Sequence, residues 1–439
     1  METAPHHRTT KSTPATLWAP PPYRWVLLVM LLPATIFEGY DITIFHLCTP
    51  DLASAFHLPD ETVGTMAAIV RAGGILSFFV VTLADRFGRK PILGATILSY
   101  GFCTLLTATA TGAVSFTLFQ SVAQVFLAAE FGVAVTVISE EFPDEQRGRA
   151  VSLLMVAAFV GVLAAGLLYI PMAPSRWGWR GMYVVGVAPL ILIAWIRRRM
   201  RETARFAAGE KDRMTRGAQR PSVFEPLRNC LTPMRGPWAG RMILVAILCN
   251  CVGLVGGPVI SFFSLYVRRD HGWTAAQTGV AFVIAYLAGS CGTLLSGYLL
   301  DQLGRRATTA VFFLLAAGAA ATLFQSAQYP AIFLALSVTM FAYQGARTAT
   351  SALAAELFPT NSRATGFCLT VQVLGQLGWT LAPLGVGLLS EPLHGLGNAA
   401  AVFAAGPIVG AFIALGLVPE TRGASLEELS PEPAPVAGH

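Results

Sequence analysis

The chain has little charge. Only 12% of its 439 residues are Asp, Glu, Lys or Arg, whereas 54% are hydrophobic and the mean hydropathy is +0.60. Soluble domains run near a quarter charged, so this composition excludes one. Histidine is scarce and scattered at seven residues, with no HExxH pattern. A membrane enzyme would need metal ligands or a nucleophile–base set, and neither stands out. No GxxxxGK[ST] phosphate loop is present, so an ATP-driven pump gets no support. The seven cysteines are also dispersed: Cys48, Cys103, Cys249, Cys251, Cys291 and Cys368 lie in or at the ends of apolar runs, and Cys230 sits in a basic loop. That is neither a disulfide framework nor a zinc site. No metal and no cofactor is expected.

What is present in quantity is long apolar sequence. A bilayer core of about 30 Å needs about 20 apolar residues per helix. Twelve runs qualify, near 24–48, 62–83, 91–110, 115–139, 149–172, 180–198, 241–267, 276–299, 307–326, 329–353, 364–390 and 397–418. They predict an all-α membrane protein of twelve transmembrane helices. Strands of a porin-type barrel would need only about 10 residues each. The first run follows a Pro-rich tail and is too long for a cleaved signal core. The expected layout is a tail at 1–23, a six-helix bundle at 24–198, a central loop at 199–240, a second bundle at 241–418 and a tail at 419–439.

Charge in the loops gives an orientation. The segment from Arg197 to Arg241 holds twelve Arg and Lys against four acids, whereas the loops of the opposite side hold only Arg176, Arg180, Arg268 and Arg269. The positive-inside rule then places both termini and the central loop in the cytoplasm. The net charge of +6 reflects this topology. It predicts a lipid-facing basic loop rather than nucleic-acid binding.

The chain repeats itself. "LADRFGRKP" follows the second run and "LLDQLGRRA" the eighth, so Asp85 maps to Asp301 and Arg89 to Arg305 at an offset of 216. "EEFPDEQRGRA" follows the fourth run and "AELFPTNSRATG" the tenth. Here Glu140 maps to Glu356 and Arg147 to Arg363 at the same offset. Two unrelated motifs with one offset predict two homologous six-helix halves with a site between them.

Gly297-x-Leu299-x-Asp301-x-x-Gly304-Arg305-Arg306 resembles the signature loop of the major facilitator superfamily. The first copy departs from it once, with Val81 at the leading glycine. "RETARF" (201–206) and "PETRG" (419–423) resemble motifs of the sugar porter branch and its relatives. The resemblance covers the chain apart from its tails and implies twelve helices and alternating access. It implies gating by Asp85, Arg89, Glu140, Arg147, Asp301, Arg305, Glu356 and Arg363, whose i, i+4 and cross-loop spacing also suits ion pairs.

Charges inside the spans narrow the mechanism. The first run carries Glu38 and Asp41 in "FEGYDI", and Arg71, Glu130 and Arg347 lie in later runs. Each costs about 2.5–3.5 kcal/mol at a bilayer centre. They must face a wet cavity or one another. Three acids against two arginines leave one carboxylate free to take up a proton. Glu38 and Asp41 at i, i+3 are expected on one helix face, and "EGYD" resembles the first helix of aromatic-acid/proton symporters, with Glu38 where Asp is usual. Glu130, ten residues before Glu140, resembles the fourth helix of metabolite/proton symporters. There Gln120 replaces a frequent arginine, a role Arg71 could have taken over. Glu38, Asp41 and Glu130 are therefore the proton-coupling candidates.

Arg71 and Arg347 are the only cations expected within the spans, one per half. Arg347 suits a carboxylate ligand in bidentate geometry; the other possibility is that both arginines only pair with Glu38, Asp41 and Glu130. Tyr40, Gln120, Asn250, Tyr343, Gln372, Gln376 and Trp379 complete the candidate substrate residues. Gly256-Gly257-Pro258 should break or flex the seventh helix. The sequence thus predicts a monomeric secondary transporter of a bacterial inner membrane, moving a small organic anion, an aromatic or other carboxylic acid, together with protons. A proton-coupled efflux antiporter, a sugar-type porter and a non-transporting receptor of the same build remain the alternatives.

Overall fold

A computed structural model describes residues 23–216, 239–357 and 368–420. The long helices are α1 (Tyr23–Phe56), α2 (Asp60–Phe87), α3 (Arg89–Ala108), α4 (Ala113–Glu141), α5 (Asp144–Met172) and α6 (Gly178–Arg197) in the first half. The second half has α8 (Ala239–Arg269), α9 (Ala275–Leu303), α10 (Arg305–Gln325) and α11 (Tyr329–Glu356). Its eleventh span is broken: a π-helical turn at Cys368–Val373 and a 3-10 turn at Leu374–Gln376 precede α12 (Leu377–Leu389). The twelfth span is α13 (Leu396–Phe403) continued by α14 (Ala405–Leu417). A polar, charged helix, α7 (Ala204–Arg216), follows the first half.

Among the described residues, ten segments are individually long and apolar enough to cross a membrane. The polar-rich α11 and the segmented 368–389 stretch bring the spans to twelve. The apolar faces turned outward, such as Leu98, Phe102 and Leu294, match lipid rather than water.

Packing repeats between the halves. In the first half α1 packs on α5, α2 on α4, and α3 on α6. Their counterparts repeat the pattern as α8 on α12, α9 on α11, and α10 on α14. Between halves α2 meets α12 and α5 meets α9, two contacts that exchange under the same pseudo-two-fold. Small residues permit the closest approaches. A Cβ on Gly39 or Gly161 would strike backbone of the opposing helix in the α1–α5 pair, and Gly166 faces Gly279 between the halves.

The turn from α2 into α3 needs Gly88 at φ 100°, and the turn from α9 into α10 needs Gly304 at φ 85°. An L side chain would be strained there. The expected break at Gly256-Gly257-Pro258 does not occur: α8 runs unbroken through Pro258. The two glycines instead make room, Gly256 for the rings of Tyr343 and Trp379 and Gly257 for Pro383. The break falls in the partner helix at 368–376, where π and 3-10 turns replace regular helix.

One end of the bundle carries both described chain ends and the start and finish of the central loop, and the opposite end is the far end. The halves are joined at the far end. Ser264 Oγ donates to the Leu47 carbonyl at 2.9 Å, and Arg268 pairs with Asp51 at 2.5 Å. Tyr169 hydroxyl donates to Asp51 at 2.7 Å, and Arg269 pairs with Asp60. Gly64 lies against the Pro383 carbonyl and Gly387 against that of Asp60.

Candidate functional site

Midway along the spans, the two halves present charge of both signs to one cavity. Arg71 projects from α2 and stacks on Trp379 of α12, with its guanidinium carbon 4.8 Å from the ring centroid. Its Nη2 lies 3.4 Å from Nε2 of the buried His46 on α1. Arg347, on α11, is exposed to the cavity and interacts with the Tyr343 hydroxyl one turn away. Tyr343 meets Trp379 edge-on at 5.6 Å between centroids. Tyr286 is within electrostatic reach of both arginines, and Phe159 packs on it. Among the described residues, neither arginine has a carboxylate within ion-pair distance. The second possibility raised by the sequence, that both are only internal partners of Glu38, Asp41 and Glu130, therefore does not describe this state.

The three acids separate into three environments. Glu38 lies within electrostatic reach of both Glu130 and Arg347, with no hydrogen bond or ion pair to either among the described residues. Asp41 turns into the first bundle and is fully buried. Gln120 Nε2 donates to its Oδ2 at 2.9 Å, Tyr100 lies beside the carboxylate, and Oδ1 meets no hydrogen-bond criterion among the described residues. Of the two acids expected on one helix face, Asp41 is hydrogen-bonded to α4, whereas Glu38 has no such bond among the described residues. Glu130 is buried and ion-paired to Arg197 Nη1, and Thr96 Oγ1 donates to it.

Arg197 corrects the expectation that Arg71 and Arg347 are the only cations within the spans. It is 4% exposed in the last turn of α6 and donates to the Met30 and Leu93 carbonyls as well as to Glu130. It opens the run "RRRMR", so in sequence it reads as the first residue of the basic loop. The amide of Gln120 serves Asp41, and Arg71 faces α12.

Several polar candidates brace the fold. Tyr40 is buried, donates to the Met182 carbonyl at 2.7 Å and packs on Gly186, away from the cavity. Asn250 donates to Ala246 O at 2.8 Å and Leu374 O at 3.1 Å, and its own carbonyl accepts from Gly378 N–H. It satisfies backbone groups freed by the broken eleventh span, so its amide is engaged within the second half. Gln376 is half-buried at the 3-10 turn. The side chain of Gln372 lies outside the described residues.

At the terminal end each half holds its own charge cluster. Arg89 pairs with Glu140 at 2.7 Å, and Thr203 Oγ1 donates to the same carboxylate at 2.7 Å. Arg305 pairs with Glu356 at 2.7 Å. Asp301 is 77% exposed and 3.6 Å from Arg305, a weak pair. The side chains of Asp85 and Arg147, and all of Arg363, lie outside the described residues. The "RETARF" and "PETRG" motifs supply Glu202 and Glu420. Glu202 accepts from the Arg89 N–H at 2.9 Å and Glu420 from the Arg305 N–H at 2.9 Å. Each caps the orphan N–H groups that open α3 or α10, where an anion is favoured. A Cβ on Gly88 or Gly304 would meet the corresponding carboxylate. These clusters form within each half while the far end is closed.

Sequence reasoning missed His46, Tyr286, Arg197 and the far-end set Asp51, Tyr169, Arg268, Asp60 and Arg269. The far-end acids and arginines had a readable signal, since they flank spans on the side otherwise poor in charge.

Comparison with known proteins agrees with this architecture. The model of the Major Facilitator Superfamily matches residues 31–383. A 4-hydroxybenzoate transporter of Pseudomonas putida is 24% identical over 365 residues, covering 78% of this chain and 81% of the relative. A niacin transporter of Acinetobacter baylyi is 25% identical over 427 residues, covering 93% and 96%. The inward open conformation of the xylose transporter of E. coli superposes with a TM-score of 0.75 at 19% identity, covering 93% of this chain and 99% of that one. The polar groups converge between two pseudo-symmetric bundles, and the family model spans most of the chain: it is a multi-pass membrane transporter and belongs to the Major Facilitator Superfamily.

Proposed function

We propose that the protein is a proton-coupled symporter of a small organic anion, with an aromatic or other carboxylic acid as substrate. One observation carries the reading. Arg71 and Arg347 come from different halves, share one cavity beside Trp379, Tyr343 and Tyr286, and lack acid partners among the described residues. Two uncompensated guanidiniums cost several kcal/mol in a membrane. A ligand carboxylate repays that cost with planar, bidentate hydrogen bonds, and the rings supply a face for an aromatic body. The names of the two relatives, a 4-hydroxybenzoate and a niacin transporter, fit that chemistry.

The geometry suggests the coupling step. Ionised Glu38 faces Arg347 and competes for it with a substrate carboxylate. A proton on Glu38 removes that competitor and frees Arg347. The substrate anion then bridges Arg347 and Arg71 and draws the halves together. After release, the proton leaves Glu38 and its carboxylate again competes for Arg347. Binding differs between the open and closed states, as a population shift requires. Asp41 is a second proton carrier, because its buried carboxylate has an amide but no cation beside it. Glu130, ion-paired to Arg197, holds α4 to α6.

Orientation follows from the basic central loop. The terminal end faces the cytoplasm of a bacterium, the membrane is the inner membrane, and the closed far end makes this an inward-facing state. The two six-span halves at 24–198 and 241–418 are the moving bodies of a monomer.

Proteoliposomes carrying an inward proton gradient and offered a panel of carboxylates test the proposal. Accumulation of an aromatic or other organic acid that collapses on adding a protonophore is expected. Accumulation only of neutral or cationic compounds, or uptake indifferent to the gradient, overturns it.

A further inference from the structure

We infer that His46 is a positioning residue for the anion site: as a neutral imidazole it accepts a hydrogen bond from Arg71 and holds that guanidinium against Trp379 without neutralising it. The inference rests on the proposed role of Arg71 in binding a carboxylate.

His46 is 2% exposed on α1, and its Nε2 lies 3.4 Å from Arg71 Nη2. A guanidinium has donors and no acceptor, so Nε2 must present its lone pair and the ring proton must sit on Nδ1. That assignment makes the ring neutral, because an imidazolium offers no acceptor. Nδ1 has no partner among the described residues. A buried, half-satisfied histidine needs a reason to be retained, and Arg71 supplies it.

The choice of a neutral partner matters for function. Arg71 reaches across the interface from α2 to the face of Trp379 on α12. A long, flexible cation in that position needs an anchor. Aspartate or glutamate would anchor it more strongly, but would cancel its charge and compete with the substrate anion. Imidazole fixes the direction of one guanidinium nitrogen and leaves the full positive charge and the other donors for the ligand. The contrast with the opposite arginine is direct: Arg347 faces Glu38, whose charge switches with its proton, whereas Arg71 faces a partner that leaves it constitutively available. One arginine would then be gated by protonation and the other held ready.

Two measurements test this. The first needs no substrate. With 15N-histidine labelling of the whole protein at neutral pH, the resonance lost in His46→Gln identifies His46. It is expected to show a proton on Nδ1 and a bare, hydrogen-bonded Nε2, and the Nε2 signal should move in Arg71→Gln. A proton on Nε2, an imidazolium, or no response to Arg71→Gln overturns the inference. The second is transport kinetics in proteoliposomes, with 4-hydroxybenzoate as first probe and otherwise the acid found by the carboxylate panel. His46→Gln, which keeps an acceptor, should hold KM within about 3-fold. His46→Leu should raise KM about 10-fold with turnover largely retained, and His46→Glu should raise it further because it cancels the Arg71 charge. In an Arg71→Gln background, His46→Leu should add nothing. Equal KM values for the Gln, Leu and Glu variants, or effects additive with Arg71→Gln, overturn it. If Arg71→Gln itself leaves KM unchanged, the reading of the anion site fails instead. If Arg71→Gln raises KM and His46→Leu does not, only the positioning role fails.

Discussion

At position 347, lysine would keep the charge and lose the planar fork. A carboxylate held bidentately by guanidinium loses one hydrogen bond and its orientation on such a change. Arg347→Lys should therefore raise KM at least 10-fold, and Arg347→Gln should abolish acid uptake; a lysine variant with parental KM would remove Arg347 from the substrate site. Glu38→Gln and Asp41→Asn address the proton. Either should end uphill accumulation while retaining counterflow exchange, read as labelled substrate entering preloaded vesicles. Exchange lost together with accumulation in a folded variant would make the acid a structural or substrate-binding group. Glu130 belongs to a different class. Glu130→Gln strands Arg197 in a buried site, where breaking such a pair costs about 3–5 kcal/mol. A marked fall in melting temperature of the detergent-solubilised protein is expected. Parental stability combined with loss of proton coupling would return Glu130 to the transport machinery.

Among the elements, the broken eleventh span is where local structure and function meet. A break in a membrane helix frees backbone groups that lipid cannot satisfy. Asn250, from the neighbouring α8, takes up Leu374 O and Gly378 N–H and so makes the break tolerable. Trp379 begins one residue beyond that bridge, so the position of the ring under Arg71 depends on it. Asn250→Ala should weaken substrate binding and destabilise the second half by about 1–3 kcal/mol, the cost of leaving buried partners unmade. Ligand affinity and thermal melting together check this. A variant with both unchanged would show that the break stands without its brace. The sequence pointed to the wrong helix for irregularity, because Gly-Gly-Pro is a strong breaker in water but serves in α8 as space for rings from two neighbouring spans. Composition of one helix cannot reveal which partner fills the space it leaves.

For the whole molecule, the closed far end sets the state. Arg268 with Asp51 and Tyr169, and Arg269 with Asp60, cross between halves and must separate when that end opens. Partly exposed pairs contribute little each, on the order of 0–1 kcal/mol. Removing both sets by Arg268→Gln and Arg269→Gln should shift the conformational balance by about 1–2 kcal/mol, a factor of about 5–30 in population. Distances between spin labels placed on opposite halves at the far end would lengthen. Unchanged distance distributions would mean that apolar and glycine contacts alone hold the closure. By contrast the Arg89–Glu140 and Arg305–Glu356 clusters stay within their halves, so they can stiffen each bundle in this state without resisting its rotation.

The sequence by itself determined the class, the twelve spans and the internal duplication. Apolar length is dictated by bilayer thickness, and a repeated motif at constant offset survives any packing. It also located Glu38, Arg71 and Arg347, because a charge within an apolar run is costly enough to stand out on the page. Only the tertiary structure decided which charges meet. Glu130 found Arg197, which in sequence merges with the basic loop. Asp41 found Gln120, and Arg71 found His46 and Trp379 rather than an acid. Ion pairing depends on which helix faces turn toward each other, and that is fixed by small-residue contacts such as Gly39 against α5 and Gly166 against α9. Those contacts are made between segments far apart in the chain, so no local pattern records them.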